Sequence, residues 1–251
     1  MSQNTIPSPG PIREYVRLRE EVLQTLDGMM SIEATSRASL GELREKIATD
    51  TFNLVVVGQF KRGKTCLINA LLGAELLPVS VVPLTSIVTI LTYGTSLEVK
   101  VFTRDGRATF VEPDRIAEYV TEQGNPQNVK NVREVVLTYP SEYLKDGVRL
   151  VDTPGVGSVY QHNTDVAYQY LPKSDAALFL LSVDQPVSRA ELDFLKDVQQ
   201  YSGKIFFLLN KIDYLTGKDL EDCLEFSEKS LRDVMGQEVK IFPVSAKLAL
   251  D

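Results

Sequence analysis

At 251 residues, with 43% apolar and 24% charged side chains, the chain has room for one large α/β domain or a domain with an appendage. Its net charge of −7 weighs against broad nucleic-acid binding, and no specific nucleic acid is expected as a partner. Cys66 and Cys223 form no C-x-x-C pair, which suggests a reducing, cytoplasmic setting without structural zinc; no apolar run is long enough to span a bilayer, so any membrane contact is expected to be peripheral.

Residues 1–10 are polar and Pro-rich and read as a disordered tail. The pattern from 11 to 50 is helical. Tyr15, Val22, Met29 and Leu43 share one heptad position, and Leu18 and Ile32 the complementary one. Gly28 and Gly41 are candidate bends or breaks. This segment suits a helix or hairpin packed on its own domain as well as it suits one strand of a larger bundle.

From 51 to 251 apolar strand-like runs alternate with helical stretches. Strands are predicted at 52–57, 87–93, 99–103, 108–111, 134–138, 148–151, 176–182, 204–209 and 239–244, with Asp105-Gly106 as a hairpin turn. Helices are predicted after a Gly-rich loop at 58–65 and at 113–123, 165–171, 188–201 and 218–235. The fold expected is an α/β P-loop domain with a mostly parallel sheet flanked by helices. A doubly wound sheet covers both faces with helices, yet no final helix follows the last strand in the pattern. The expectation is therefore a front portion of a longer protein.

Gly58-Gln59-Phe60-Lys61-Arg62-Gly63-Lys64-Thr65 is a G-x-x-x-x-G-K-[ST] loop between a buried strand and the helical run from Cys66. Two glycines let successive N–H groups converge on phosphate oxygens, and the helix adds its positive end. Gly58, Phe60, Lys61, Arg62, Gly63, Lys64, Thr65 and Cys66 are the candidate phosphate-binding residues. Lys64 would reach the outer phosphates and Thr65 would ligate Mg²⁺.

Asp152-Thr153-Pro154-Gly155 follows the strand ending in Val151. Asp152 would hold Mg²⁺ through water, and the Gly155 N–H would meet the γ-phosphate. Asn210-Lys211-Ile212-Asp213 follows another buried strand. A carboxylate at Asp213 pairs with the N1–H and 2-amino group of guanine, a donor pair that adenine lacks. Asn210 and Lys211 would brace that loop, and the backbone of Ser245-Ala246-Lys247 would meet the guanine carbonyl. Between these motifs a mobile loop should supply a Thr that closes over Mg²⁺. Thr85 is favoured over Ser86 and Thr89 because it stands just before the strand. The substrate is then GTP with Mg²⁺ as cofactor, and Lys64, Thr85 and Gly155 carry the catalysis.

These residues, with Leu67-Ile68-Asn69-Ala70-Leu71-Leu72-Gly73 and the stretch from Leu77-Pro78 through Pro83-Leu84-Thr85 to Thr92-Tyr93-Gly94, resemble the dynamin superfamily of large GTPases, most closely its bacterial members. The resemblance covers about residues 50–250. It implies GTP hydrolysis, self-association through the nucleotide face, and peripheral membrane contact, with fusion or remodelling, through regions outside this chain. It also implies that 11–50 is part of a helical neck. The alternative is a regulatory or ribosome-assembly-type GTPase acting on a protein or RNA partner without membrane contact. Two departures stand out. Phe60-Lys61 replaces the Gln-Ser of animal dynamins, and Val156 stands where Ras-like proteins place a water-orienting Gln. Lys61 and Arg62 are expected to be structural or solvent-facing more than charge-stabilising fingers, and His162 reads as a solvated loop residue.

Overall fold

The computed structural model describes residues 9–32, 37–79, 85–157 and 161–250; for 9–13, 37, 161 and 162 it describes the backbone alone. The chain divides into two compact units between Thr51 and Phe52.

The first unit contains α1 (Pro9–Ile32) and α2 (Arg37–Ala48). Gly28 and Gly41 each lie inside a helix, so neither of them ends one. The helices run antiparallel. Arg44 meets Asp27, and Arg19 donates to the C-terminal carbonyls of Ile47 and Ala48, where the helix dipole is negative. Leu26 is buried, whereas the predicted heptad stripe of Tyr15, Leu18, Val22, Met29, Ile32 and Leu43 is exposed. Residues 1–8 of the expected tail lie outside the described residues, and α1 already begins at Pro9.

The second unit is built on β1 (Phe52–Val57), α3 (Lys64–Leu72), β2 (Thr89–Tyr93), β3 (Glu98–Thr103), β4 (Ala108–Val111), α4 (Ala117–Val120) and β5 (Val132–Tyr139). It continues through β6 (Val148–Asp152), α5 (Gln161–Tyr170), β7 (Ala176–Ser182), α6 (Arg189–Tyr201), β8 (Lys204–Asn210), α7 (Lys218–Met235), β9 (Ile241–Pro243) and α8 (Ala246–Leu250). One nine-stranded sheet has the order β4-β3-β5-β2-β6-β1-β7-β8-β9. The run β6-β1-β7-β8-β9 is parallel. Antiparallel pairings of β2 with β6 and of β3 with β5 and β4 extend it on the other side.

Successive residues of β1 point to opposite faces, so Val55 and Val57 join one core and Val56 the other. The first core holds Phe179, Phe194, Leu195, Val198 and Leu231; the second holds Leu67, Ile68, Leu72, Leu91 and Leu137. Burial on both faces is why the central strands read as unbroken apolar runs.

Two predicted elements change. The helix expected at 113–123 is a 3₁₀ turn, Pro113–Arg115, followed by the four-residue α4. The Thr121 hydroxyl donates to the Ala117 carbonyl and accepts the Gly124 N–H, which turns the chain. A Cβ on Gly124 would stand 2.4 Å from the Ala117 carbonyl oxygen. The last strand is short, and the five-residue α8 follows it where no helix was expected. Among the described residues no helix is long and apolar enough to cross a membrane.

Candidate functional site

The predicted motif loops leave the C-terminal ends of β1, β6, β8 and β9, on one edge of the sheet. They enclose a cavity of about 670 Å³, a size suited to a small-molecule ligand. Phe60, Lys61, Gly63, Lys64, Thr65 and Cys66 line it from the first loop, and Thr85 and Gly155 from the next two. Asn210, Lys211, Asp213 and Lys247 line its other end.

The glycines are required by close approach. At φ 146°, Gly58 would place a Cβ 2.6 Å from the Leu180 carbonyl oxygen. At φ 91°, Gly63 would place one 2.5 Å from the Asn210 amide nitrogen. With a Cβ, Gly155 would lie 2.8 Å from the Phe60 Cα and 3.1 Å from Lys64 Nζ. The Gly155 backbone can therefore lie directly against the phosphate loop only as glycine.

Lys64 is buried, with Nζ 3.1 Å from the carbonyl oxygens of both Gly58 and Gln59. Burial pulls its ammonium down to about 8, against the attraction of Asp152. Burial pushes the Asp152 carboxyl up to about 6, opposed by Lys64, Thr65 and Thr85. Thr65 Oγ1 stands 2.9 Å from Asp152 Oδ2 and 3.3 Å from Thr85 Oγ1, and Thr85 Oγ1 is 3.5 Å from that same carboxylate oxygen. The other oxygen, Asp152 Oδ1, is buried without a hydrogen-bond partner. Two hydroxyls and an orphaned carboxylate oxygen form a hard-oxygen donor set, which fits Mg²⁺. A bound divalent cation would hold Asp152 ionised, and a polyphosphate would hold Lys64 charged.

The rival threonine and serine are used elsewhere. Thr89 is buried in β2 opposite Asp152, and Ser86 binds the Val120 carbonyl through both its N–H and its hydroxyl.

At the far end, Asn210 joins two loops. Its Nδ2 donates to the Arg62 carbonyl at 3.0 Å, and its Oδ1 accepts the Ala246 N–H at 3.0 Å. The Ala246 N–H, expected to meet a base carbonyl, is thus paired with Asn210. Ser245 donates its hydroxyl to Asp213 Oδ1 at 2.6 Å, which orients the carboxylate. Lys211 has φ 63° and pairs with Asp184 at 2.8 Å.

Arg62, a candidate phosphate contact that was expected to be structural more than a charge-stabilising finger, keeps its side chain off the cavity lining. Its side chain is fully buried and turns away from the cavity, pairing with Glu191 of α6 through Nε at 2.7 Å and Nη2 at 2.6 Å. Nη1 donates to Ser182 Oγ and the Gln185 carbonyl, and Nη2 also to the Pro186 carbonyl. Only the backbone of Arg62 remains with the loop. Lys61, at φ 67°, sits with its ammonium 5.4 Å from the centre of the Phe60 ring. The Phe60 N–H donates to the Val156 carbonyl and the Val156 N–H to Gly58, so the loop after β6 is stitched to the phosphate loop. The Val156 side chain is itself buried in the core. The side chain of His162 lies outside the described residues.

Residues 54–213 match the model of the Dynamin family. The chain belongs to the dynamin family. Over 96% of its length it is 42% identical to an uncharacterized protein of the xynA 3′ region of Caldicellulosiruptor, covering 60% of that protein. It is 33% identical, over 80% of its length, to a probable transmembrane GTPase, FZO-like and chloroplastic, of Arabidopsis thaliana, covering 20% of it. Among solved structures, a chain of an oligomerised bacterial dynamin pair, described as a mechanism for long-range sensing and tethering of membranes, superposes with a TM-score of 0.66. That match has 23% identity and covers 95% of this chain and 40% of the other, and it establishes the fold. The chain thus spans from a fifth to three-fifths of the length of these relatives.

Within this dynamin-family domain, Pro78 and Val79 line the cavity from the stretch that carries the family resemblance, and Asp184, Tyr214 and Asn163 also line it, although no sequence motif marks them. Asp184 had one legible signal, since it stands just past the end of an apolar strand. Gly58, Arg62, Asp152, Ser245 and Ala246 act behind the lining rather than on it, through the contacts given above.

Proposed function

We propose that the protein binds GTP with Mg²⁺ and hydrolyses it to GDP and phosphate. The observation that carries this reading is the pairing of two chemistries in one cavity. Thr65 and Thr85 gather around a carboxylate with an orphaned oxygen at one end, and Asp213 is held by Ser245 at the other. Asp213 and the Asn210 brace select guanine, because adenine would leave the carboxylate poorly paired. Lys64 binds the outer phosphates in exchange for the carbonyls of Gly58 and Gln59. The Gly155 N–H would receive the γ-phosphate, a role supported by the close approach of its backbone to Phe60 and Lys64. Mg²⁺, when bound, would offset charge on the phosphates. A buried Val156 cannot orient water, so that task falls to other groups.

In the intact protein, hydrolysis is coupled to self-association through the nucleotide face, with membrane contact through regions outside this chain. Family membership and the fold shared with an oligomerised bacterial pair support this. Turnover is the direct test. The protein should hydrolyse GTP far faster than ATP, lose activity in EDTA, and lose it as Lys64→Ala. Equal ATP turnover, or an active Lys64→Ala variant, would sink the reading. Sedimentation with a non-hydrolysable GTP analogue, with and without anionic liposomes, tests the assembly arm; an unchanged monomer that ignores liposomes would remove it.

A further inference from the structure

We propose that Asn163 positions the attacking water in GTP hydrolysis, a role that rests on the GTPase reading above. Asn163 lies in the first turn of α5, lines the cavity and is only 1% exposed. Its Oδ1 is buried without a hydrogen-bond partner. An orphaned buried amide oxygen is costly, and a native fold keeps one where a ligand or water completes it. The other orphan at this site, Asp152 Oδ1, is accounted for by the cation.

The position of α5 sets which end of the cavity Asn163 serves. The next residue, Thr164, accepts the Gly157 N–H at 3.2 Å, fastening the first turn of α5 to the loop that carries Gly155. Gly155 in turn abuts Phe60 and Lys64. Asn163 therefore belongs to the γ-phosphate end, remote in sequence and in motif from Asn210 and Asp213. Val156 is committed to the core and Arg62 to Glu191, and Gln59 does not line the cavity. Asn163 supplies the neutral acceptor that these positions lack.

In the step itself, the water oxygen forms a bond to the γ-phosphorus while one of its O–H groups donates to Asn163 Oδ1. The bond from phosphorus to the β–γ bridging oxygen breaks, and its electron pair leaves with GDP. The water's other proton passes to a γ-phosphate oxygen, giving inorganic phosphate. Asn163 takes no proton. It fixes the direction of attack, a contribution of orientation.

The test uses the intact protein, with a fluorescent methylanthraniloyl label on GDP and on a non-hydrolysable GTP analogue to read affinity. Single-turnover hydrolysis with enzyme in excess reads chemistry. Asn163→Ala should keep both affinities within about twofold while single-turnover hydrolysis falls roughly 100-fold, the scale of losing one oriented contact to the reacting atoms. The near-isosteric Asn163→Asp places a negative charge beside the γ-phosphate. It should weaken the GTP analogue relative to GDP by about fivefold or more, a ratio that a packing role would not move. Hydrolysis by Asn163→Ala within twofold of wild type overturns the proposal. So does a parallel loss of both affinities with a lowered melting temperature in Asn163→Ala, joined by an unchanged affinity ratio in Asn163→Asp. A wild-type protein that binds GTP but never turns it over refutes the GTPase reading itself, and this role with it.

Discussion

Truncating Glu191 to Ala isolates the buried ion pair that anchors the phosphate loop to α6. In the intact domain all three donor nitrogens of Arg62 are satisfied at zero exposure: Nε and Nη2 by Glu191, Nη2 also by the Pro186 carbonyl, and Nη1 by Ser182 and Gln185. Glu191→Ala leaves the guanidinium buried with no counter-charge, a loss of about 3–5 kcal/mol for a broken buried pair. It also removes the acceptor that Glu191 offers to the Ser188 N–H in the capping box of α6. For a domain of this size each kcal/mol moves the melting temperature by about 2–4 °C, so the melt should fall by roughly 6–20 °C. Denaturant midpoints for Glu191→Ala, Arg62→Ala and the double variant give the coupling. The double variant has no orphaned charge and should be more stable than the sum of the singles implies, by at least about 1 kcal/mol. Additive losses, or a Glu191→Ala protein within about 1 kcal/mol of wild type, would refute a structural ion pair and reopen Arg62 to a role in catalysis.

Two further substitutions probe the cavity ends. Asp213→Asn should weaken GTP by roughly 10- to 100-fold, the loss of a charged acceptor, and raise affinity for xanthosine triphosphate, whose 2-carbonyl suits the amide; competition binding with both nucleotides decides, and unchanged base preference would count against Asp213. Gly155→Ala should leave GDP affinity nearly intact but cut GTP turnover at least about tenfold, because the added Cβ stands 2.8 Å from Phe60 Cα and crowds Lys64; wild-type turnover would show that this approach is dispensable.

What the sequence by itself determined was everything set by local spacing. The phosphate loop, Asp152 and Asp213 could be read because each follows a buried strand, and apolar runs announce such strands wherever both sheet faces are covered. Family membership followed from the same motifs. The antiparallel extension through β3 and β4 was partly legible from Asp105-Gly106, while the turn that replaces the helix at 113–123 depends on how Thr121 and Gly124 close it. The tertiary structure alone decided the roles of residues inside the motifs. Arg62 looks like a loop cation in one dimension, yet Glu191 stands 129 residues away and captures it in three. Ala246 is likewise claimed by Asn210. Asn163 carries no motif at all, and only its burial on the cavity lining with an unpartnered oxygen points to the role proposed for it. Spacing along a chain encodes strands, helices and loop curvature, whereas the partner of a side chain is set by which distant segments the fold brings within about 3 Å.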